Sequence, residues 1–220
     1  GKGESSMKGL LKNNLYATFL SGKLFAIFML LSGIFVVSVI SQSLLIGYGL
    51  MGIIGFSVCA LIVVKNEFTS KWVKYKLTLP VRRAEIIESQ FWNQLIWIFV
   101  GLVFASAEIG ISWLLHGCQF DQPFDILTLF AIGISISLFM SAIYFPFFYL
   151  CGEERGEVVL IIALVCASCI DYVIISILNQ LLTPGIAAII IGDAVLLACA
   201  LMTFLFSYPL TICIYKKNEY

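Results

Sequence analysis

Charge is scarce in this chain. Only 12% of its 220 residues are Asp, Glu, Lys or Arg, against 61% hydrophobic residues and a mean hydropathy of +1.03. A soluble domain carries about 25% charged residues, so too few polar groups are present to cover a water-facing surface. The high hydrophobicity also excludes disorder, which needs a weakly hydrophobic, strongly charged chain. Histidine is scarcer still. His116 stands alone, so no metal site within one chain can use two histidines. There is no G-x-S-x-G elbow of the hydrolase type. There is no G-x-x-x-x-G-K-[ST] segment either, so the chain has no P-loop to hold a nucleotide. Thirteen basic residues balance thirteen acidic ones, and a net charge of zero argues against nucleic-acid binding.

What the chain does have is long apolar runs. A helix needs about 20 mostly apolar residues to cross a hydrocarbon core about 30 Å thick. Leu24 to Val64 spans 41 positions without a charge. That is length for two spans joined by a turn at Ser41-Gln42-Ser43. Phe91 to Leu115 is a third span, interrupted only by Glu108. Ile126 to Leu150 is a fourth. Val158 to Leu182 is a fifth and carries Asp171, and Ile186 to Tyr215 is a sixth and carries Asp193. Barrel strands would show alternating segments of about 10 residues, and none is visible. The expectation is an all-α integral membrane protein with six transmembrane helices.

The basic residues orient it. Lys2, Lys8, Lys12 and Lys23 precede span one. Lys65, Lys71, Lys74, Lys76, Arg82 and Arg83 lie between spans two and three. Arg155 lies between four and five, and Lys216 and Lys217 follow six. The other three connections contain no Lys or Arg, so the positive-inside rule puts both termini in the cytoplasm. The organisation expected is then spans one and two over 23–64, a cytoplasmic loop over 65–90, spans three to six over 91–215 and a short tail over 216–220. Residues 1–6 read as an expression scar ahead of Met7. From 7 to 22, Leu10, Leu11, Leu15 and Phe19 oppose Lys8, Lys12, Asn13 and Asn14, a pattern expected of an amphipathic helix lying in the membrane interface.

Cys59, Cys166, Cys169, Cys199 and Cys213 fall inside spans, where thiols pack as small apolar groups. Small residues at helical spacing mark close helix contacts. They are Gly133, Ser137 and Ser141 on span four, Gly47, Gly49, Gly52 and Gly55 on span two, and Gly101 and Ala105, with Ser106 and Gly110, on span three. Pro146 and Pro209 each remove a backbone donor and are expected to bend their helices. Intramembrane acids are costly and usually functional. At about 1.5 Å per residue, Glu108, Asp171 and Asp193 all fall toward the outer leaflet. They are the candidates for an outer vestibule, with a proton or cation relay as the other reading. Glu153-Glu154-Arg155 resembles the paired-glutamate motif of intramembrane metalloproteases. Those enzymes also need histidines within spans, so here the segment reads as a solvated turn. The runs around Asn179-Gln180 and Thr183-Pro184-Gly185 exceed what spanning needs and would fit a re-entrant or interfacial outer segment.

The long cytoplasmic loop carries the sharpest pattern. Phe68, Trp72, Tyr75 and Leu79 fall on one face of a helix, interleaved with Lys65, Lys71, Lys74 and Lys76. Pro80 suits the first turn of the next helix. Arg82 and Arg83, with Lys23 on span one, are placed to anchor at lipid headgroups. Such a helix either lies on the lipid or docks into a soluble partner.

Asn66-Glu67-Phe68, Trp72-Val73-Lys74-Tyr75, Thr78-Leu79-Pro80-Val81-Arg82-Arg83 and Ile86-Ile87-Glu88-Ser89 together resemble the cytoplasmic loop of ABC-2 type transporter permeases. The close of the chain, Ser207-Tyr208-Pro209-Leu210 and Ile214-Tyr215-Lys216-Lys217, resembles that family too. The likeness covers the chain from Met7, and among small members it is most similar to the permeases of phenol-soluble modulin exporters, which move amphipathic peptides out of Gram-positive bacteria. The resemblance implies a multi-pass protein of the bacterial plasma membrane that binds no cofactor itself. It implies a second permease chain, identical or paralogous, and a separate ATPase subunit holding ATP and Mg. It implies that the loop is the coupling element, with Phe68, Trp72 and Tyr75 as anchors, Asn66, Glu67 and Lys71 as polar contacts and Leu79 at its end. The spans are rich in Phe, Leu, Ile and Ser, which suits an amphipathic or hydrophobic cargo such as a peptide. The competing readings are a secondary transporter, which would need a polar midplane site or an inverted repeat, and a membrane-embedded sensor or immunity protein.

Overall fold

The computed structural model describes residues 2–39, 41–69, 83–117, 120, 124–181 and 185–217. These form six long helices and one short turn: α1 (Lys2–Ser38), α2 (Gln42–Thr69), α3 (Arg83–His116), α4 (Phe124–Cys151), a 3-10 turn (Glu153–Arg155), α5 (Gly156–Leu181) and α6 (Ile186–Lys217). Each helix contains a window long and apolar enough to cross a membrane. With six crossings both termini lie on one side, and the basic residues make that side the cytoplasm. Glycine stops two of the helices. Gly117 (φ +78°) and Gly152 (φ +81°) adopt the left-handed conformation. Their N–H groups cap the Trp113 and Phe148 carbonyls at 2.9 and 3.0 Å, as expected of a left-handed cap.

Two pairs of parallel helices organise the bundle. α1 and α3 both run outward, and their contacts keep one sequence offset. Asn14 meets Ser89 and Thr18 meets Asn93, both 75 residues apart. The same offset sets Gly22 under Trp97 and Gly33 against Glu108. α4 and α6 both run inward. Thr128 meets Asp193, and Ala142 meets Ser207, at an offset of 65. A constant offset over several turns requires two helices to stay nearly parallel. α2 runs antiparallel between the pairs and touches α1, α3 and α4, whereas α1 itself contacts only α2 and α3 among the described elements.

Glycine sets the closest approach. A Cβ on Gly101 of α3 would stand 2.8 Å from the Ile53 Cα and 3.1 Å from the Gly52 carbonyl oxygen of α2. Backbone therefore lies on backbone there, the contact small residues permit in lipid. Gly133 of α4 instead receives the Ile53 side chain, whose Cδ1 would be 2.7 Å from an added Cβ. Gly49 sits under Leu129 and Gly55 under Phe25, but nothing lies within 4 Å of Gly47 or Gly110. Those two glycines are not packing contacts. In the inner half an aromatic cluster closes the core. Phe91 of α3 packs on Phe145, Phe204 and Tyr208, at ring-centroid distances of 4.4, 4.9 and 5.4 Å.

α4 and α6 run on as helices through Pro146 and Pro209. Pro146 has no N–H for the Ala142 carbonyl, four residues back. Ser207 Oγ of α6 donates to that carbonyl at 2.7 Å. The lost intrahelical bond is thus replaced by one between helices.

The segment 7–22 is helical and continuous with the first span, since α1 runs unbroken from Lys2 to Ser38. Its buried positions are Leu10, Asn14, Thr18 and Gly22, while Phe19 and Leu20 are exposed. Polar side chains find hydrogen-bond partners on α3 and lipid accepts Phe19 at no cost, so Asn14 and Thr18 join Leu10 on the buried face. Within the segment 65–90, α2 continues to Thr69 and α3 begins at Arg83. No re-entrant segment forms among the described outer residues, because α5 reaches Leu181 as regular helix and α6 begins at Ile186.

Candidate functional site

The cytoplasmic end is built where α2, α3, α4 and α5 meet. Lys65, near the end of α2, forms an ion pair with Glu157 in the first turn of α5. Gly156 makes room for it, since a Cβ there would lie 3.1 Å from Lys65 Cγ. Glu67 follows and is buried, whereas Asn66 is exposed. The Phe68 side chain and residues Lys71, Trp72, Tyr75, Leu79 and Arg82 lie outside the described residues, and Arg83 is described only as the first residue of α3. Lys23 is exposed midway along α1.

Directly above this end lies a polar belt that sequence reasoning missed. Asn14 Nδ2 donates to Ser89 Oγ at 3.1 Å, and Asn93 Nδ2 donates to Thr18 Oγ1 at 3.1 Å. Thr18 donates in turn to the Asn14 carbonyl at 2.8 Å, and Ser89 to the Ile86 carbonyl at 2.7 Å. Gln94 donates to Ser57 of α2. Tyr149 of α4 donates to Gln90 Oε1 at 2.6 Å. All of these residues are buried. The belt therefore ties α3 to α1, α2 and α4 at one depth. Its signal in the sequence was Ser89, Gln90, Asn93 and Gln94, four polar residues where a span is beginning. They fall too close together to share one helix face: Ser89 and Asn93 serve α1, Gln90 serves α4 and Gln94 serves α2.

The three intramembrane acids are all buried, with exposures of 9% for Glu108, 2% for Asp171 and 9% for Asp193. They do not form one group. Asp171 of α5 accepts from Ser135 Oγ at 2.5 Å, and Asp193 of α6 accepts from Thr128 Oγ1 at 2.9 Å. Ser135 and Thr128 are two turns apart on α4, about 10 Å along its axis. Glu108 sits instead among α1, α2 and α3, against Gly33 and near Tyr48. An added Cβ on Gly33 would lie 2.8 Å from Glu108 Oε2 and 3.0 Å from the Tyr48 hydroxyl. Tyr48 donates to the Met29 carbonyl at 2.8 Å. Glu108 Oε1 and Ser112 Oγ, one turn further on, have no partner among the described residues. Beside Asp193 an open cavity of about 500 Å³ lies between α4, α5 and α6. Among the described residues no three His, Cys, Asp or Glu side chains come together as a metal site would need.

A family model described as ABC-2 family transporter protein matches residues 9–216. No curated protein and no solved structure matches the chain.

Proposed function

The chain belongs to the ABC-2 family of transporter proteins, and from that premise we propose that it is the permease subunit of an ATP-binding-cassette exporter in a bacterial plasma membrane. A separate ATPase subunit holds ATP and Mg and supplies the energy. A second permease chain, identical or paralogous, completes the pathway, and the cargo is an amphipathic peptide, as the likeness to phenol-soluble modulin exporters implies. Residues Asn66, Glu67, Phe68, Lys71, Trp72, Tyr75 and Leu79 form the coupling element. Trp72 and Tyr75 are its anchors, since aromatic side chains carry much of the energy at interfaces. Arg82, Arg83 and Lys23 hold the inner surface at the headgroups. Glu108, Asp171 and Asp193 supply the polar groups of the outer half.

The observation that carries this reading is mechanical. The coupling segment joins α2 to α3, the two helices that touch backbone to backbone at Gly52, Ile53 and Gly101. A push on the loop therefore moves both helices as one body. The polar belt passes that movement to α1 through Asn14 and Thr18 and to α4 through Tyr149.

The test uses the complex of permease and ATPase in lipid vesicles. Replacing Trp72 and Tyr75 together with Ala is expected to abolish ATP-dependent peptide accumulation while the ATPase continues to hydrolyse ATP. If ATPase binding and transport both survive unchanged, these residues do not couple the two subunits.

A further inference from the structure

The cavity beside Asp193 has a composition that points to one class of ligand. It lies in the outer half of the bundle, bounded by α4, α5 and α6, and its volume is about 500 Å³. Small-ligand sites measure about 300–1,000 Å³. Its walls include Ile132, Ile175 and Leu196, and its polar groups include Thr128, Asn179 and Asp193. The polar side chains reach it from all three helices.

Charge decides what such a cavity admits. No Lys, Arg or His lies among its lining residues, and the chain has no Lys or Arg in any outer connection. Among the described residues Asp193 is bound by a neutral hydroxyl, Thr128 Oγ1, on one of its oxygens. A charged carboxylate in an apolar environment is costly unless it is paired or protonated, and no cation lines the cavity among the described residues. An anion would meet the carboxylate at close range with nothing to offset it. A neutral apolar molecule would leave the carboxylate uncompensated. The ligand that satisfies every wall is one with a positively charged head and an apolar body.

We infer that this cavity binds an amphiphilic ammonium, with its nitrogen on Asp193 between Thr128 and Asn179 and its hydrocarbon chain against Ile132, Ile175 and Leu196. The site lies at the depth of the outer leaflet, toward the outer ends of α4, α5 and α6. Binding needs only this chain, and it holds whether or not the chain is coupled to an ATPase.

The experiment measures binding of radiolabelled octylammonium, octanol and octanoate to the purified protein in phosphatidylglycerol nanodiscs, which carry no ammonium of their own. Wild-type protein is expected to bind octylammonium at least tenfold more tightly than octanol, and to bind octanoate more weakly than either. Asp193→Asn keeps an acceptor for Thr128 and is expected to remove the tenfold preference while leaving octanol unchanged. Ala188→Trp, which fills the cavity from α6, is expected to lower binding of octylammonium and octanol alike. Equal affinity of wild-type protein for octylammonium and octanol overturns the inference without reliance on any variant. So does unchanged octylammonium binding by Asp193→Asn. Addition of phosphatidylethanolamine to the nanodiscs identifies the source of the ligand. Displacement of octylammonium assigns the site to a lipid headgroup, and retention assigns it to a free amine.

Discussion

The parallel pair α1 and α3 is hydrogen-bonded in the inner half, whereas α4 and α6 are bonded toward both ends, at Thr128–Asp193 and Ala142–Ser207. In α1–α3 the bonds between α1 and α3 are neutral amides and hydroxyls, and they sit in the inner half, at Asn14, Thr18, Ser89 and Asn93. In α4–α6 the bonds to α4 include acid–hydroxyl pairs in the outer half, at Asp193–Thr128 and Asp171–Ser135. The first set lies beside the loop where force would enter. The second lies beside the cavity where a ligand would bind. Strong polar contacts in a bilayer are costly to leave unmade, so each half is most firmly organised where it has something to do. The contact between the halves adds shape to a few polar bonds: Ile53 fills the notch at Gly133 and Phe91 the aromatic cluster, beside the Tyr149–Gln90 hydrogen bond and the Lys65–Glu157 ion pair.

The comparison can be broken most forcefully at Gly101. Gly101→Val forces α2 and α3 apart at the backbone, and overpacking of this kind is expected to cost about 3 kcal/mol. Gly133→Ala meets the Ile53 side chain rather than backbone, Cδ1 at 2.7 Å and Cβ at 3.3 Å, and is expected to cost less. Thermal unfolding of the purified protein in one detergent ranks the two. A reversed order would mean that side chains, rather than backbone, set the contact.

Next in size is Ser207→Ala. It leaves the Ala142 carbonyl without a donor, an expected loss of about 1–2 kcal/mol. The diagnostic measurement is the double variant. In a Pro146→Ala background residue 146 regains its N–H and bonds Ala142 within α4, so Ser207→Ala is expected to cost almost nothing more. A full-size loss in that background would sink the proline argument.

Asn93→Leu is expected to have a smaller effect, about 0.6 kcal/mol, the mean for a hydrogen bond between helices in a membrane. Thr18 keeps its own bond to the Asn14 carbonyl, which limits the loss. The change is expected to loosen α1 from α3 and leave α4–α6 untouched. Hydrogen exchange along α1 and α6 reads the two sides separately. Smallest of all is Glu157→Gln, whose ion pair with Lys65 is solvated. No change in unfolding temperature beyond scatter is expected, and a large drop would make that pair a true clamp between α2 and α5.

The helices were legible in the sequence because the hydrocarbon core imposes a length on each apolar run. The turn expected at Ser41-Gln42-Ser43 lies where α1 gives way to α2. The buried faces were much less legible. In water Leu10, Leu15 and Phe19 would mark the inside of a helix. In lipid the bilayer is as apolar as Leu, so Phe19 can face it, and Asn14 and Thr18 lie beside Leu10 on the inside. Glu108, Asp171 and Asp193 stood out as charges in apolar runs, but their hydroxyl partners Thr128 and Ser135 did not, because single hydroxyls also bond back to their own helix. Ser137 and Ser141 do that here, to Gly133 and Ser137. The loop residues Trp72 and Tyr75 lie outside the described structure, and their role rests on pattern and family.

The bond from Ser207 to Ala142 bears on how the protein is made. A membrane chain is inserted from its N-terminus, so α4 enters the bilayer long before α6 is synthesised. Until then the Ala142 carbonyl stands in α4 with no N–H from Pro146 and no hydroxyl from Ser207. Thr128 is waiting for Asp193 over the same interval. The first five helices thus form an incomplete body with unfinished bonds on one face of α4, and the last helix closes that face.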